Sequence, residues 1–317
     1  MNELSSEKAL FEGINHTQNK NPLVSVIVPT FRRQDHLARA LNSLIRQTYK
    51  PLEIVIVDDN GNIEWNKKVQ SIICQVFRDE RHNMKYICNA SNMGSAEARN
   101  IAIKSASGEY ISFLDDDDEY LPQKIERQLS HMISEQSDYS ITDMYLFHEN
   151  GRLVEKRTRH YIKNYSTKEL LKNHLMYHMT GTDTLMFKRE YLCQIGCFPT
   201  TDVGDEFYLM VRAITGRGRL SYLSECHVNA YVHYGSEGLS SGETKISGEN
   251  ALYNYKKQFF NRLDDSAIQY IKMRHYAVLA YANLRRKNGV SFAKNATIAF
   301  LACPIECIRL VSNRGKG

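Results

Sequence analysis

The stretch "SAEARNIAIKSASGEYISFLDDDDEY", residues 95–120, contains a helix, a strand and then four consecutive aspartates. Ser95 to Ala106 reads as a helix, with Gly108 expected as its C-cap. Glu109 to Leu114 is an apolar run too short for a helix and reads as a buried strand. Asp115 to Asp118 therefore stand at the carboxyl end of a strand. Four like charges in a row repel one another, so either water solvates them or a positive group meets them.

The same alternation extends toward the N-terminus. "LVSVIVP" (Leu23 to Pro29) is a β-branched run that reads as a strand, followed by a helix over about Asp35 to Thr48 with Leu37, Leu41, Leu44 and Ile45 on one face. "EIVIV" (Glu53 to Val57) is a second strand and ends in Asp58-Asp59. Val69, Ile72, Ile73, Val76 and Phe77 mark a second helix, and Met84 to Cys88 a third strand. Strands alternating with helices through short connections imply an α/β fold, a mostly parallel sheet flanked by helices. Such sheets bind ligands at the carboxyl ends of their strands. Thr30-Phe31-Arg32, Asp58-Asp59 and Asp115 to Asp118 should accordingly converge on one crevice.

Beyond Pro122, expected in the first turn of a helix, the pattern changes. Asn150-Gly151 separates two strand-like runs as a hairpin turn. Ser166 and Glu169 have the spacing of a capping box opening a helix to about Leu175. "GDEFYLMVRAITGRG" reads as another helix, Gly235 to Gly248 as a Gly- and Ser-rich lid, and the chain from about Glu249 as a helical extension.

Composition excludes several classes. A 317-residue chain with 42% hydrophobic and 24% charged residues is globular, and a net charge of +5 without a basic–aromatic stripe does not point to nucleic acid. The seven cysteines are scattered, and none has the partners of a zinc site. No secretory leader is read in the N-terminal twenty residues, and no apolar run is long enough to span a bilayer. A cytoplasmic location is expected, with the inner membrane face as the alternative. An EF-hand reading of Asp115, Asp117, Glu119 and Glu126 fails because Tyr120 takes the glycine position and Pro122 interrupts. "PTFRRQ" after the first strand lacks the glycines of a dinucleotide-binding loop.

Taken together, "VSVIVPTFRR", "EIVIVDDN", "NMGSAEARNIAIKSASGEYISFLDDDDEYLP" and "GDEFYLMVR" resemble the inverting family 2 glycosyltransferases of the GT-A fold, over about Leu23 to Gly238. The resemblance implies a nucleoside-diphosphate sugar donor, UDP-linked in the first instance, and Mn²⁺ or Mg²⁺. Residue by residue, Pro29, Thr30, Phe31 and Arg32 match the segment beside the nucleobase. Asp59 matches the base-recognising aspartate, with Asp58 its neighbour. Asn92, Gly94 and Arg99 match the ribose and diphosphate region. Asp115 and Asp117 match the D-x-D positions, Asp117 being the first choice of metal ligand and Asp116 facing the ribose. His233 lies where relatives carry a loop histidine near metal or diphosphate. The general base falls at Glu206, with Asp205 as the other choice, an inversion of the family's usual Glu-Asp order. Thr182 to Thr184 sit where relatives line the acceptor pocket.

The resemblance divides the chain into an N-terminal extension (1–22), a catalytic domain (23–240, with a donor half to 120 and an acceptor half from 121) and a C-terminal helical extension (241–317). It implies one-sugar transfer to a glycan or lipid-linked acceptor in cell-surface polysaccharide synthesis. Its rivals are a sugar nucleotidyltransferase and a catalytically silent nucleotide-sugar-binding or assembly module. Asn295 to Val311 is apolar with basic flanks. It suits a helix lying in a membrane interface, or one packing on the catalytic domain or on another subunit of a homo-oligomer.

Overall fold

The computed structural model describes residues 21–78, 83–201, 204–232 and 242–314. The first half forms as the alternation predicts: β1 (Val24–Thr30), α1 (Gln34–Ile45), β2 (Leu52–Asp58), α2 (Ile63–Val76), β3 (Asn83–Cys88), α3 (Ser95–Ser105) and β4 (Tyr110–Phe113). α1 stops short of the expected Thr48, whose amide instead donates to the Pro122 carbonyl at 2.9 Å. Gly108 does not cap α3, because Ala106 ends that helix in an extended conformation. It is needed where it stands because a Cβ there would lie 2.6 Å from the Ser25 backbone nitrogen on β1.

β5 (Glu119–Tyr120), α4 (Lys124–Ser134), β6 (Tyr139–His148) and β7 (Leu153–Arg157) follow, then α5 (Thr167–Tyr177), a 3-10 turn at Thr182–Thr184, β8 (Leu185–Lys188) and α6 (Arg189–Gln194). α7 (Asp205–Thr215) and β9 (Leu220–Val232) complete the sheet-bearing part, and α8 (Gly242–Lys257), α9 (Asp265–Arg285), α10 (Gly289–Ala302) and α11 (Pro304–Arg314) the rest. Gly151 takes φ 82° in the β6–β7 turn, and Ser166 Oγ accepts the Glu169 amide at 3.4 Å, as the hairpin and cap signals predict.

Among the described residues the sheet order is β3-β2-β1-β4-β8-β6-β9-β5, with β7 on β6. β3, β2, β1 and β4 run parallel, whereas β8 is antiparallel to both β4 and β6. Parallel strands covered on both faces need apolar side chains on both, which explains the unbroken β-branched runs. Val26, Val28, Ile54 and Ile56 pack beneath Leu37, Leu41 and Leu44 of α1, with Ile125 and Leu129 of α4. Ile27, Val55 and Val57 face Ala98, Ala102 and Ile103 of α3 and share a core with α5 and α7. Each fully buried leucine here contributes about 2 kcal/mol. Ala267 and Ile271 of α9 join that second core. α8 is tied to α9 by a His275–Glu249 contact of 3.1 Å and by stacking of His275 on Tyr253 at 4.0 Å.

Candidate active site

Parallel register brings the three polar strand ends together, since Thr30 pairs with Asp58 and the β4 end lies beside β1. Thr30 Oγ1 donates to Asp116 Oδ2 at 2.7 Å, and the Phe31 amide reaches the same oxygen at 3.4 Å. Pro29 is the penultimate residue of β1. Phe31 is an exposed aromatic at the strand end, with the Arg32 guanidinium 5.0 Å from its ring. The Arg32 amide donates to Asn60 Oδ1 at 2.8 Å.

The paired aspartates after β2 have separate tasks. Asp58 Oδ1 accepts from the Asn60 amide and side chain at 3.0 and 2.7 Å, and its Oδ2 accepts from Tyr86 at 2.7 Å. Asp59 Oδ1 accepts from Asn89 Nδ2 (2.7 Å) and the Met93 amide (2.9 Å), and Oδ2 from the Gly94 amide (2.9 Å). Asp59 thus orders the loop entering α3. Asn92 Oδ1 also accepts the Gly94 amide, at 3.0 Å. Gly94 takes φ 82°, a backbone conformation open to glycine at no steric cost.

The four aspartates meet different partners, which offsets part of their repulsion. Asp115 Oδ1 accepts from Arg99 Nη2 at 2.6 Å. Arg33 bonds the Asp117 carboxylate and lies 3.9 Å from Asp116, while Arg39 donates to the Asp117 carbonyl. Asp118 Oδ1 accepts the Tyr231 amide of β9 at 2.9 Å. Burial pushes the Asp116 carboxyl up to about 6, against the opposing pull of Thr30 and Arg33.

Asp183, in the 3-10 turn before β8, falls in the Thr182 to Thr184 stretch expected to line the acceptor pocket and was not expected among the acidic groups. Its Oδ1 accepts the Asp115 amide at 2.6 Å, and its side chain bonds Asp118. Oxygens of Asp115, Asp118 and Asp183 all lie within 4.8 Å of one another. Burial and mutual charge raise the proton affinity of both Asp118 and Asp183. A cation relieves the same repulsion, and three carboxylates are a donor set that suits Mg²⁺ or Mn²⁺. The acidic group therefore differs from the expected one: Asp115 belongs to it, whereas Asp117 is taken up by Arg33. His233 lies outside the described residues. Nothing around Asp183 in "GTDTLMF" marks it as acidic-site chemistry, because its partners are 68 and 65 positions away in sequence.

Arg99 carries the site across to α7. Its Nη1 bonds Asp205 Oδ2 at 2.8 Å, and only 5% of the residue is exposed. Ser95 Oγ donates to the same oxygen at 3.1 Å. Burial would raise the Asp205 carboxyl, but Arg99, Glu206 and Ser95 outweigh it and hold it low. Its neighbour Glu206, half-buried in the first turn of α7, is shifted the other way, by burial and then by the Asp205 carboxylate it bonds. Two adjacent carboxyls driven apart in this way can hold one proton between them while keeping distinct roles.

His174 and His178, spaced like zinc ligands, are otherwise engaged. His174 is buried, with Nε2 at 2.9 Å from the Phe207 carbonyl and Nδ1 accepting the Met179 amide at 3.2 Å. His178 Nε2 meets Lys256 Nζ at 2.6 Å.

Comparison with known proteins bears on the family and the fold. Residues 25–194 match the model of "Glycosyl transferase family 2". TuaG of Bacillus subtilis (strain 168), named for teichuronic acid biosynthesis, is 32% identical over 180 residues, 56% of this chain and 66% of its own length. That share falls just short of two thirds of the relative. WcaA of Escherichia coli (strain K12), named for colanic acid biosynthesis, is 28% identical over 251 residues, covering 76% and 84%. In fold, the chain is similar to S. aureus TarS (residues 1–349) in complex with UDP-GlcNAc, with a TM-score of 0.58 at 19% identity over 88% of this chain and 91% of that one.

Proposed function

Because the chain belongs to glycosyl transferase family 2 and so to the glycosyltransferases, we propose that it performs a metal-dependent, inverting, one-sugar transfer. The donor is a nucleoside-diphosphate sugar, UDP-linked first, and the acceptor a glycan or lipid-linked glycan of a cell-surface polysaccharide. The names of TuaG and WcaA and the ligand of TarS support this reading. In it, residues 23–120 are the donor half, 121–240 the acceptor half and 241–317 the extension.

Pro29, Thr30, Phe31 and Arg32 border the base, Asp59 and Asp58 set the loop that carries Asn92 and Gly94, and Asp116 and Arg99 border the ribose and diphosphate. Asp115, Asp118 and Asp183 hold the cation, which when bound offsets the charge that develops on the departing diphosphate. Glu206 takes the proton from the acceptor hydroxyl. That oxygen bonds the anomeric carbon while the bond to the diphosphate oxygen breaks on the opposite face.

The observation that carries the assignment is the division of labour at α7. Asp205 is held by Arg99 at 2.8 Å and by Ser95 at 3.1 Å, whereas Glu206 has the higher proton affinity. The test is purified protein with Mn²⁺ and a panel of UDP-, dTDP- and GDP-sugars, following donor hydrolysis and binding. Metal-dependent hydrolysis of one donor is expected. Absence of metal-dependent binding to every donor overturns the reading.

A further inference from the structure

The α10–α11 corner exposes large apolar side chains far from the candidate active site residues in sequence. On α10 the exposed positions are Gly289, Val290, Ala293, Lys294, Thr297, Phe300 and Leu301, a three-to-four spacing that makes one helix face. Ala299 is buried as α10 packs on α9. Past the break at Cys303 the exposure continues on Ile305 and Ile308 of α11. Val290 is 85% exposed, Leu301 73%, Ile305 68% and Ile308 59%. An apolar patch of this kind on a folded chain marks an interaction surface.

The surrounding charge says what covers it. Arg285, Arg286 and Lys287 stand at the α9–α10 turn, Lys294 on the exposed face of α10 and Arg309 on α11, all exposed. Residues 285–309 contain one acidic residue, Glu306, which is ion-paired to Arg309. A second copy offering this face in a two-fold contact would set like charges against each other. An anionic bilayer complements both the basic residues and the apolar side chains among them. Among the described residues no helix is long and apolar enough to cross a membrane, so the pattern is that of helices lying in the interface.

We propose that α10 and α11 dock this chain on an anionic lipid surface. Val290, Phe300, Leu301, Ile305 and Ile308 enter the boundary between headgroups and acyl chains, and the basic residues meet lipid phosphates. This surface goes beyond the proposed transfer and does not depend on it. If the acceptor is lipid-linked, docking here also confines the enzyme to the plane where that acceptor lies.

The test is sedimentation of the full chain with vesicles that contain neither donor nor acceptor. Vesicles of phosphatidylcholine with about 30% phosphatidylglycerol should bind it at least ~10-fold more tightly than phosphatidylcholine alone. Leu301→Glu with Ile305→Glu should weaken that binding ~10-fold or more, with the thermal melt and any donor hydrolysis unchanged. Arg286→Glu with Lys294→Glu should remove the preference for the anionic lipid. Equal binding to both vesicle types, or wild-type binding by the Leu301/Ile305 variant, overturns the proposal. So does a lipid-free dimer that this variant dissociates. Failure of sugar transfer with intact vesicle binding counts against the transferase reading alone.

Discussion

Replacing Arg99 with methionine removes a buried guanidinium that bonds Asp205 at 2.8 Å and Asp115 at 2.6 Å. The two arms are not equal. The Asp115 side chain is 33% exposed and can be resolvated, whereas that of Asp205 is 8% exposed and keeps Ser95, the Glu206 amide and the Glu206 carboxyl as its partners. Truncating one partner of a buried pair costs about 3–5 kcal/mol because the other charge is stranded. With one arm able to reach water, the lower end of about 3 kcal/mol is expected, or about 6 °C in Tm at roughly 2 °C per kcal/mol for a large chain. Urea and thermal unfolding in metal-free buffer at neutral pH measure it. Adding Asp205→Asn removes the stranded charge and should restore about 2 kcal/mol. The pH dependence has a definite sign. The folded Asp205 carboxyl is held below its unfolded value, so the stabilisation is present above about pH 4 and is lost as pH falls through the folded value. Wild type and Arg99→Met should therefore converge in acid. A single-variant loss under about 1 kcal/mol, or a double variant no better than the single, would refute the bridge.

Glu206→Gln should lower kcat by about 10²- to 10⁴-fold while donor binding, followed by titration calorimetry, is kept. Because burial and Asp205 raise the Glu206 carboxyl, wild-type kcat should climb with pH through that raised value. Asp183→Asn should weaken Mn²⁺ binding about 10-fold or more, as loss of a charged ligand does, whereas Asp117→Asn should change it little. The reverse order would restore Asp117 as the ligand. In metal-free buffer Asp116, raised to about 6, binds its proton more tightly folded than unfolded. Stability should therefore fall as pH rises from about 4 to about 6, by at most about 3 kcal/mol, and Asp116→Asn should flatten that slope in denaturant titrations.

The sheet-forming half was legible because its signals are local. A strand covered on both faces must be apolar throughout, so β1, β2 and β4 declare themselves, and the acids at their ends follow from strand direction. The Asn150-Gly151 turn and the Ser166 cap are likewise local chemistry. β9 was not legible. Its thirteen residues alternate irregularly because the register on β6 shifts near Asp143. Gly108 was misread because its reason, contact with the Ser25 backbone on another strand, has no sequence signature.

By itself the sequence determined that four aspartates end a buried strand beside two other polar strand ends, and that Asp205-Glu206 open a helix. Backbone alternation and periodicity suffice for that. Which charge each aspartate meets was decided only by tertiary structure, because electrostatic partners are set by distance in space. Arg99 arrives from α3, Arg33 from the residue before α1 and Asp183 from a turn 65 residues after Asp118. Folding offsets part of the repulsion in "LDDDDEY" by sending Asp115 and Asp117 to separate guanidiniums, while it gathers Asp115 and Asp118 with Asp183 into one acidic group.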